Sequence, residues 1–330
     1  MPIVAHPKLP SLSKLKTEDL IIADASSLAK EFHQELRIGL LNLMPDAALQ
    51  ATERQFIRML GSDENILVHV YPTTVESSKR GEEFQDYIAK NYNDISTIYA
   101  SKLDGLIISG ANPSKPDMTE EPFWAPLVEV MDWAMENTNS ILCSCLATHA
   151  LLKYYFNIDR ELRGQKSWGV FPHTVANSSN PLIAGLDDSF MGLHSHFYDL
   201  PLKKIQDTDL EVLAYNSQAG FFLASTTDTK LVLYQGHPEY DAISLLKEYQ
   251  REITNFLSGL RPDYPPLPEN YFSKAAIPVL ENFQKKVLLT KEQSNFPEAR
   301  LSELVKVEWR HPGKILYKNW LNILVKAKEL

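Results

Sequence analysis

Along the first half of the chain, short apolar runs alternate with segments that are apolar on one side only. Arg37–Leu43 is an apolar run closed by Met44-Pro45 and reads as a buried strand. In Thr52–Leu60, Phe56, Ile57 and Leu60 share one helical face. Ile66–Tyr71 is rich in β-formers, and the polar, charged stretch through 75–100 reads as helical. Asp104–Gly110 is an apolar strand closed by glycine, and residues 122–137 have helical spacing with Trp124 and Trp133. Asn139–Cys145 is again a strand, and Ala147–Phe156 resumes a helix. This alternation predicts an α/β fold, a mostly parallel sheet flanked by helices on both faces.

After Lys166 the texture shifts to shorter strands at Leu210–Tyr215, Phe221–Ala224 and Leu231–Tyr234. A long helix is expected from Asp241 to Leu257, stopped by Ser258-Gly259. Residues 259–300, with several prolines and polar stretches, read as a loop-rich insertion. Ile315–Ala327 is an apolar-periodic helix expected to dock back on the body. The expected organisation is an irregular lead-in over 1–35, an α/β domain over 36–262, and a C-terminal loop and helix extension over 263–330 that belongs to the same domain.

Composition narrows the class. The 330 residues are 44% hydrophobic and 23% charged, enough for a substantial core. A net charge of −9 with scattered Lys and Arg argues against a nucleic-acid surface or a membrane-binding basic patch. The N-terminus lacks a signal-peptide pattern, and no run approaches the roughly 18 apolar residues of a membrane span. Cys143 and Cys145 are the two cysteines. They exclude a disulfide framework, and a C-x-C pair alone is poor support for zinc. No metal or resident cofactor is expected, and the reducing cytoplasm is the expected compartment.

Cys145 lies where a strand hands over directly to a helix, a turn that lifts a side chain above the carboxyl edge of a parallel sheet. The free N–H groups of the helix start, beginning with Leu146, favour thiolate and suit an acyl-transfer oxyanion. A small apolar filler is the other reading of Cys145, and the preferred one for Cys143 two residues back. Gly236–Asp241 supplies His237 and Glu239, which share one side of an extended backbone with Pro238 between them. A Cys–His pair backed by a carboxylate is the arrangement nucleophilic acyl transfer needs, although His-x-Glu alone is a weak signal.

An elbow cysteine followed by a His-Pro-Glu strand resembles the class I glutamine amidotransferase fold, flavodoxin-like in type. From near residue 1 to near 320 the chain more specifically resembles the homoserine O-succinyltransferase/O-acetyltransferase family. The carriers are Leu41–Pro45, Thr52-Glu53 with Gln55, Gly105–Ala111, Trp168–Phe171 with His173, His194-Ser195, Gly236–Asp241 with Arg251, and Asn319–Leu321, in the family's order. The resemblance implies acyl transfer from acyl-CoA, a co-substrate, to a homoserine-like amino acid in methionine biosynthesis. Cys145 is then the nucleophile, His237 the general base and Glu239 its support. Arg251 is the residue that binds the substrate carboxylate, Lys166 and Ser195 contact substrate, and Ser114 stands at the acyl-selecting position. Serine there is small and uncharged, which favours succinyl over acetyl. Serine or another hydroxyl amino acid is the alternative acceptor, and an amidotransferase-type hydrolase the alternative class. A homodimer is the expected assembly.

The chain departs from the family pattern at several points. Asp46 follows Met44-Pro45 where lysines are usual, so a cation is lost there or supplied from elsewhere. Leu146 replaces a tryptophan, His149 a glutamine and His196 an arginine, while 270–300 has no clear counterpart.

Overall fold

The chain is described by a computed structural model covering residues 2–5, 9–16, 21–22, 32, 34–75 and 80–329. In chain order its strands are β1 (Pro2–Ala5), β2 (Ile21–Ile22), β3 (Gln34–Leu41), β4 (Ile66–Thr73), β5 (Gly105–Ile108) and β6 (Ser140–Ser144). They continue as β7 (Glu161–Val175), β8 (Ser189–Asp199), β9 (Leu210–Asn216), β10 (Gly220–Thr226) and β11 (Leu231–Tyr234). All lie in one sheet, ordered β2-β1-β4-β3-β5-β6-β11-β10-β9-β7-β8. From β2 to β11 every pairing is parallel, and from β11 to β8 every pairing is antiparallel.

The parallel half is apolar on both faces because both are covered. Alternate residues of one strand enter different cores. Leu142 and Val232 pack with the helices Asp46–Leu60 and Arg310–Lys328. Ile141, Cys143 and Leu233 pack with the helices Trp124–Asn137 and Leu146–Phe156. The C-terminal helix docks as expected and starts earlier, at Arg310. Trp320 is fully buried on it and its indole Nε1 donates to Ser140 Oγ at 3.0 Å, while Asn319 Nδ2 donates to the carbonyls of Leu182 and Ala184.

Several expectations are corrected. The helix expected from Thr52 begins at Asp46, because Pro45 in extended conformation sets its start and an acidic residue suits the first turn. The lead-in is not wholly irregular, since β1 and β2 extend the sheet edge and a short helix covers Leu12–Lys16. Much of the remaining lead-in, and 76–79 in the stretch expected to be helical, lies outside the described residues. The hairpin β7–β8 has no counterpart among the expected strands. Within 259–300, Ile277–Thr290 is a helix that packs Leu280, Phe283 and Val287 against Leu246, Tyr249 and Ile253 in a third core.

Candidate active site

β6 ends at Ser144, and Cys145 turns the chain into the helix Leu146–Phe156 with φ 50° and ψ −106°. A non-glycine residue held at positive φ is strained, and such strain persists at sites that need a side chain lifted out of the sheet. The turn is fastened from both sides: Cys145 N–H donates to Tyr234 O at 2.7 Å, and Thr148 Oγ1 donates to the same carbonyl at 2.8 Å. Cys143, by contrast, is fully buried in mid-strand, where burial pushes its thiol up.

β11 runs beside β6 and delivers the segment after Tyr234 to the same edge. His237 Nδ1–H donates to Glu239 Oε1 at 2.8 Å, and Ser144 Oγ donates to that oxygen at 3.3 Å. Burial opposes charge on the ring, but the Glu239 carboxylate and then Cys145, through charge and a hydrogen bond, push His237 up to about 10. Tyr240 stacks on the imidazole with centroids 4.1 Å apart. The segment is pinned beyond Tyr240 by Asp241, which both Arg54 and Arg58 of the helix Asp46–Leu60 hold. It is also closely backed: a Cβ on Gly313 would come within 2.9 Å of Pro238 O. Cys145, His237 and Glu239 are therefore brought together.

Leu146 is the first residue of its helix, where N–H groups have no acceptor inside the helix. Gly110 faces it across the turn; a Cβ there would lie 3.8 Å from Cys145 Cβ and 3.9 Å from Met44 Sδ. Ser109 Oγ donates to Gly110 O at 2.9 Å and accepts from Leu43 N–H at 2.8 Å, which holds both loops against Cys145.

A second cluster lies on the antiparallel half. Lys166 on β7 and Ser195 on β8 both donate to Glu248 Oε2, at 2.8 and 2.6 Å, and Tyr240 O–H reaches Oε1 at 3.5 Å. Burial alone would raise Glu248, but Lys166, the Ser195 hydrogen bond and the charge of Arg251 hold it below the usual carboxylate range. Lys166 Nζ lies 4.7 Å from the Trp168 ring centroid. Arg251, three residues further along the helix Ser244–Leu257, has a side chain 59% exposed, with Nε 3.8 Å from Glu252 Oε1. Glu248, which joins Lys166 and Ser195, is a candidate site residue the sequence reading missed. A carboxylate set among Leu245, Leu246 and Tyr249 on the buried face of that helix was the available signal.

The departures at Asp46, His149 and His196 are accounted for by packing. Asp46 pairs with Arg80 at 3.0 Å and Arg80 also donates to Met44 O at 3.3 Å, so the turn has a cation, brought from residue 80. His149 is buried, with Nε2 2.6 Å from Gln235 Oε1, and burial pushes it down to about 4. His196 ends a buried chain in which His173 and His194 are 2.9 Å apart and His194 and His196 3.0 Å; burial pushes His196 down to about 3. Ser114 is exposed on the loop after β5, where Glu121 accepts from the Ser114 and Lys115 N–H groups.

An α/β sheet with an elbow cysteine, and a His–Glu pair delivered from the neighbouring strand, defines a protein of the class I glutamine amidotransferase-like fold. A GMP synthase-type protein from Thermoplasma acidophilum shares that fold, with a TM-score of 0.50 at 14% identity over 90% of this chain and 98% of that one. The chain belongs to the homoserine O-succinyltransferase family, whose model matches residues 2–329 and so includes the 270–300 stretch that had no clear counterpart. Two similar proteins carry the name homoserine O-succinyltransferase. That of Methylobacter tundripaludum is 45% identical, and that of Methylococcus capsulatus 42% identical, each over 97% of this chain and 92% of its own length. The chain is an acyltransferase of that family. Among the described residues no helix is long and apolar enough to cross a membrane.

Proposed function

We propose that this chain transfers a succinyl group from succinyl-CoA to the hydroxyl of L-homoserine through a thioester on Cys145, as a step of methionine biosynthesis in the cytoplasm. The observation that carries the reading is the strained Cys145 beside a His237 that Glu239 holds at 2.8 Å. In the first half-reaction the Cys145 thiolate attacks the thioester carbonyl of the donor. The oxyanion that forms is met by the Leu146 N–H, with the Gly110 N–H across the turn. Collapse expels CoA thiolate, which takes the proton from the His237 imidazolium. Neutral His237 then removes the hydroxyl proton of homoserine as its oxygen attacks the Cys145 thioester. The second collapse returns the thiolate–imidazolium pair.

Glu239 fixes which ring nitrogen faces the sulfur and stabilises the imidazolium. The Lys166–Ser195–Glu248 cluster receives the amino acid: Glu248 matches its ammonium group, and Arg251, an exposed guanidinium, matches its carboxylate. Succinyl is the donor this reading favours, from the names of the relatives and the small, uncharged Ser114. The test is steady-state kinetics with both substrates varied. Parallel double-reciprocal lines, with O-succinylhomoserine as product, are expected. Converging lines would exclude the free acyl-enzyme, and a kcat/KM higher for serine than for homoserine would exclude the acceptor.

A further inference from the structure

A dicarboxylic acyl group presents a problem that acetyl does not, because its distal carboxylate has to enter the site next to a thiolate. A matching cation is needed within a short acyl chain's reach of Cys145. Lys166 is already committed to Glu248, Arg80 to Asp46, and Arg54 and Arg58 to Asp241. Arg160 is in a different situation. It sits just before β7, half-buried, with its guanidinium carbon 3.9 Å from the centroid of the Tyr198 ring. Nη2 donates to Pro116 O at 3.1 Å and Lys115 O at 3.4 Å, and Nε is buried without a hydrogen-bond partner. Among the described residues these are neutral partners, and no carboxylate is in ion-pair contact with it.

The loop that Arg160 braces leads to the nucleophile. Its first residue, Gly110, packs against Cys145, and its far end, Lys115-Pro116, carries the carbonyls that hold the guanidinium. Ser114 lies between these ends. Burial disfavours the charge on Arg160, and the fields of Tyr198, Cys145, Glu121 and Asp117 oppose that loss. Glu121, the carboxylate nearest the loop, is engaged by the Ser114 and Lys115 N–H groups, and Asp117 caps Thr119. Neither is bonded to the guanidinium.

We propose that Arg160 binds the distal carboxylate of the donor's acyl group across the Gly110–Pro116 loop, and is the residue that makes a dicarboxylic donor preferred over acetyl. A planar guanidinium stacked on Tyr198 is fixed in orientation, and its N–H groups beyond the two carbonyl contacts suit a carboxylate. A carboxylate drawn into a site containing a thiolate is tolerable when its charge is met there. Selection is then positive, by a cation, with Ser114 contributing the space.

The inference rests on the succinyl-CoA reading above, and its test separates the two. kcat/KM is measured for succinyl-CoA and acetyl-CoA with homoserine, for wild type, Arg160→Ala and Arg160→Lys. Arg160→Ala is expected to lower the succinyl-to-acetyl ratio by about a hundredfold, the scale of removing one partner of a close charge pair. Arg160→Lys, which keeps the charge and loses the fork, is expected to recover part of that ratio. An unchanged ratio with both donors falling together would overturn the inference and leave Arg160 a brace for the loop. A raised homoserine KM at an unchanged ratio would overturn it in favour of the acceptor. A wild type that transfers neither acyl group would instead sink the acyltransfer reading itself. If Arg160→Ala does not fold, Arg160→Gln removes the charge with less loss of volume and is read against the same outcomes.

Discussion

On the parallel half of the sheet, Cys145 is held by backbone: a strand end, a helix start and the carbonyl of the neighbouring strand. On the antiparallel half, Glu248 is held by side chains, Lys166 and Ser195, that come from two strands facing a distant helix. The first arrangement fixes a reactive group and leaves nothing to adjust. The second keeps a buried carboxylate charged through two side-chain partners, and leaves Arg251 largely in water. On the proposed function, chemistry is thus preassembled, while acceptor recognition is poised but open.

If the two regions divide labour in this way, variants should separate the half-reactions. The largest effect is expected at His237 and Glu239. His237→Ala should lower kcat by about a thousandfold or more, and Glu239→Gln by about a hundredfold or more, in both half-reactions alike. Selective loss of one half-reaction would break the comparison. Next, Glu248→Gln should raise the homoserine KM by an amount equivalent to about 2 kcal/mol or more, and Arg251→Ala by roughly tenfold. Acylation of the enzyme by the donor alone should change little in either, as single-turnover CoA release will show. Equal damage to acylation would make Glu248 part of the catalytic geometry.

A smaller effect sharpens the electrostatics of the parallel half. His237 binds its proton more tightly folded, at about 10, than unfolded, near the ordinary histidine value of 6.5. Its contribution to stability is therefore full below about pH 6.5 and is lost as pH rises towards about 10. The urea midpoint of wild type should fall across that window. In Glu239→Gln the main charge supporting the imidazolium is gone and burial dominates, so this component should disappear. A wild-type midpoint that rises over the same window would contradict the assignment. The smallest effect is expected at Ser114. Ser114→Glu places a second carboxylate beside Glu121 and should shift donor preference towards acetyl-CoA by about tenfold. An unchanged ratio would remove position 114 from donor selection.

What could be read from the chain follows the same division. β3, β5, β6 and β11 are short apolar runs because both faces are covered, so periodicity exposes them, and with them the turn at Cys145. The hairpin β7–β8 was missed for a physical reason. Its inward positions include His173, His194 and His196, which satisfy one another in the interior and break the apolar pattern. The helix Ile277–Thr290 was hidden by Pro278 at its start and by Ile277, Leu288 and Leu289, exposed apolar residues that blur its one-sided pattern. Arg160 and Glu248 look ordinary in sequence, because what matters is which carbonyls, rings and hydroxyls the topology brings to them. Some family motif residues are tied into the scaffold: Gln55 donates to Ser244 Oγ at 3.0 Å, and Glu53 is hydrogen-bonded to Ser11 and Tyr87.

The central claim is that Cys145 carries the acyl group. Wild type and Cys143→Ala are mixed with succinyl-CoA in the absence of homoserine, analysed by intact-protein mass spectrometry and mapped by peptide. One succinyl adduct on Cys145 is expected in both, discharged on adding homoserine, and none in Cys145→Ala. An adduct on Cys143, or full turnover by Cys145→Ala, would contradict it.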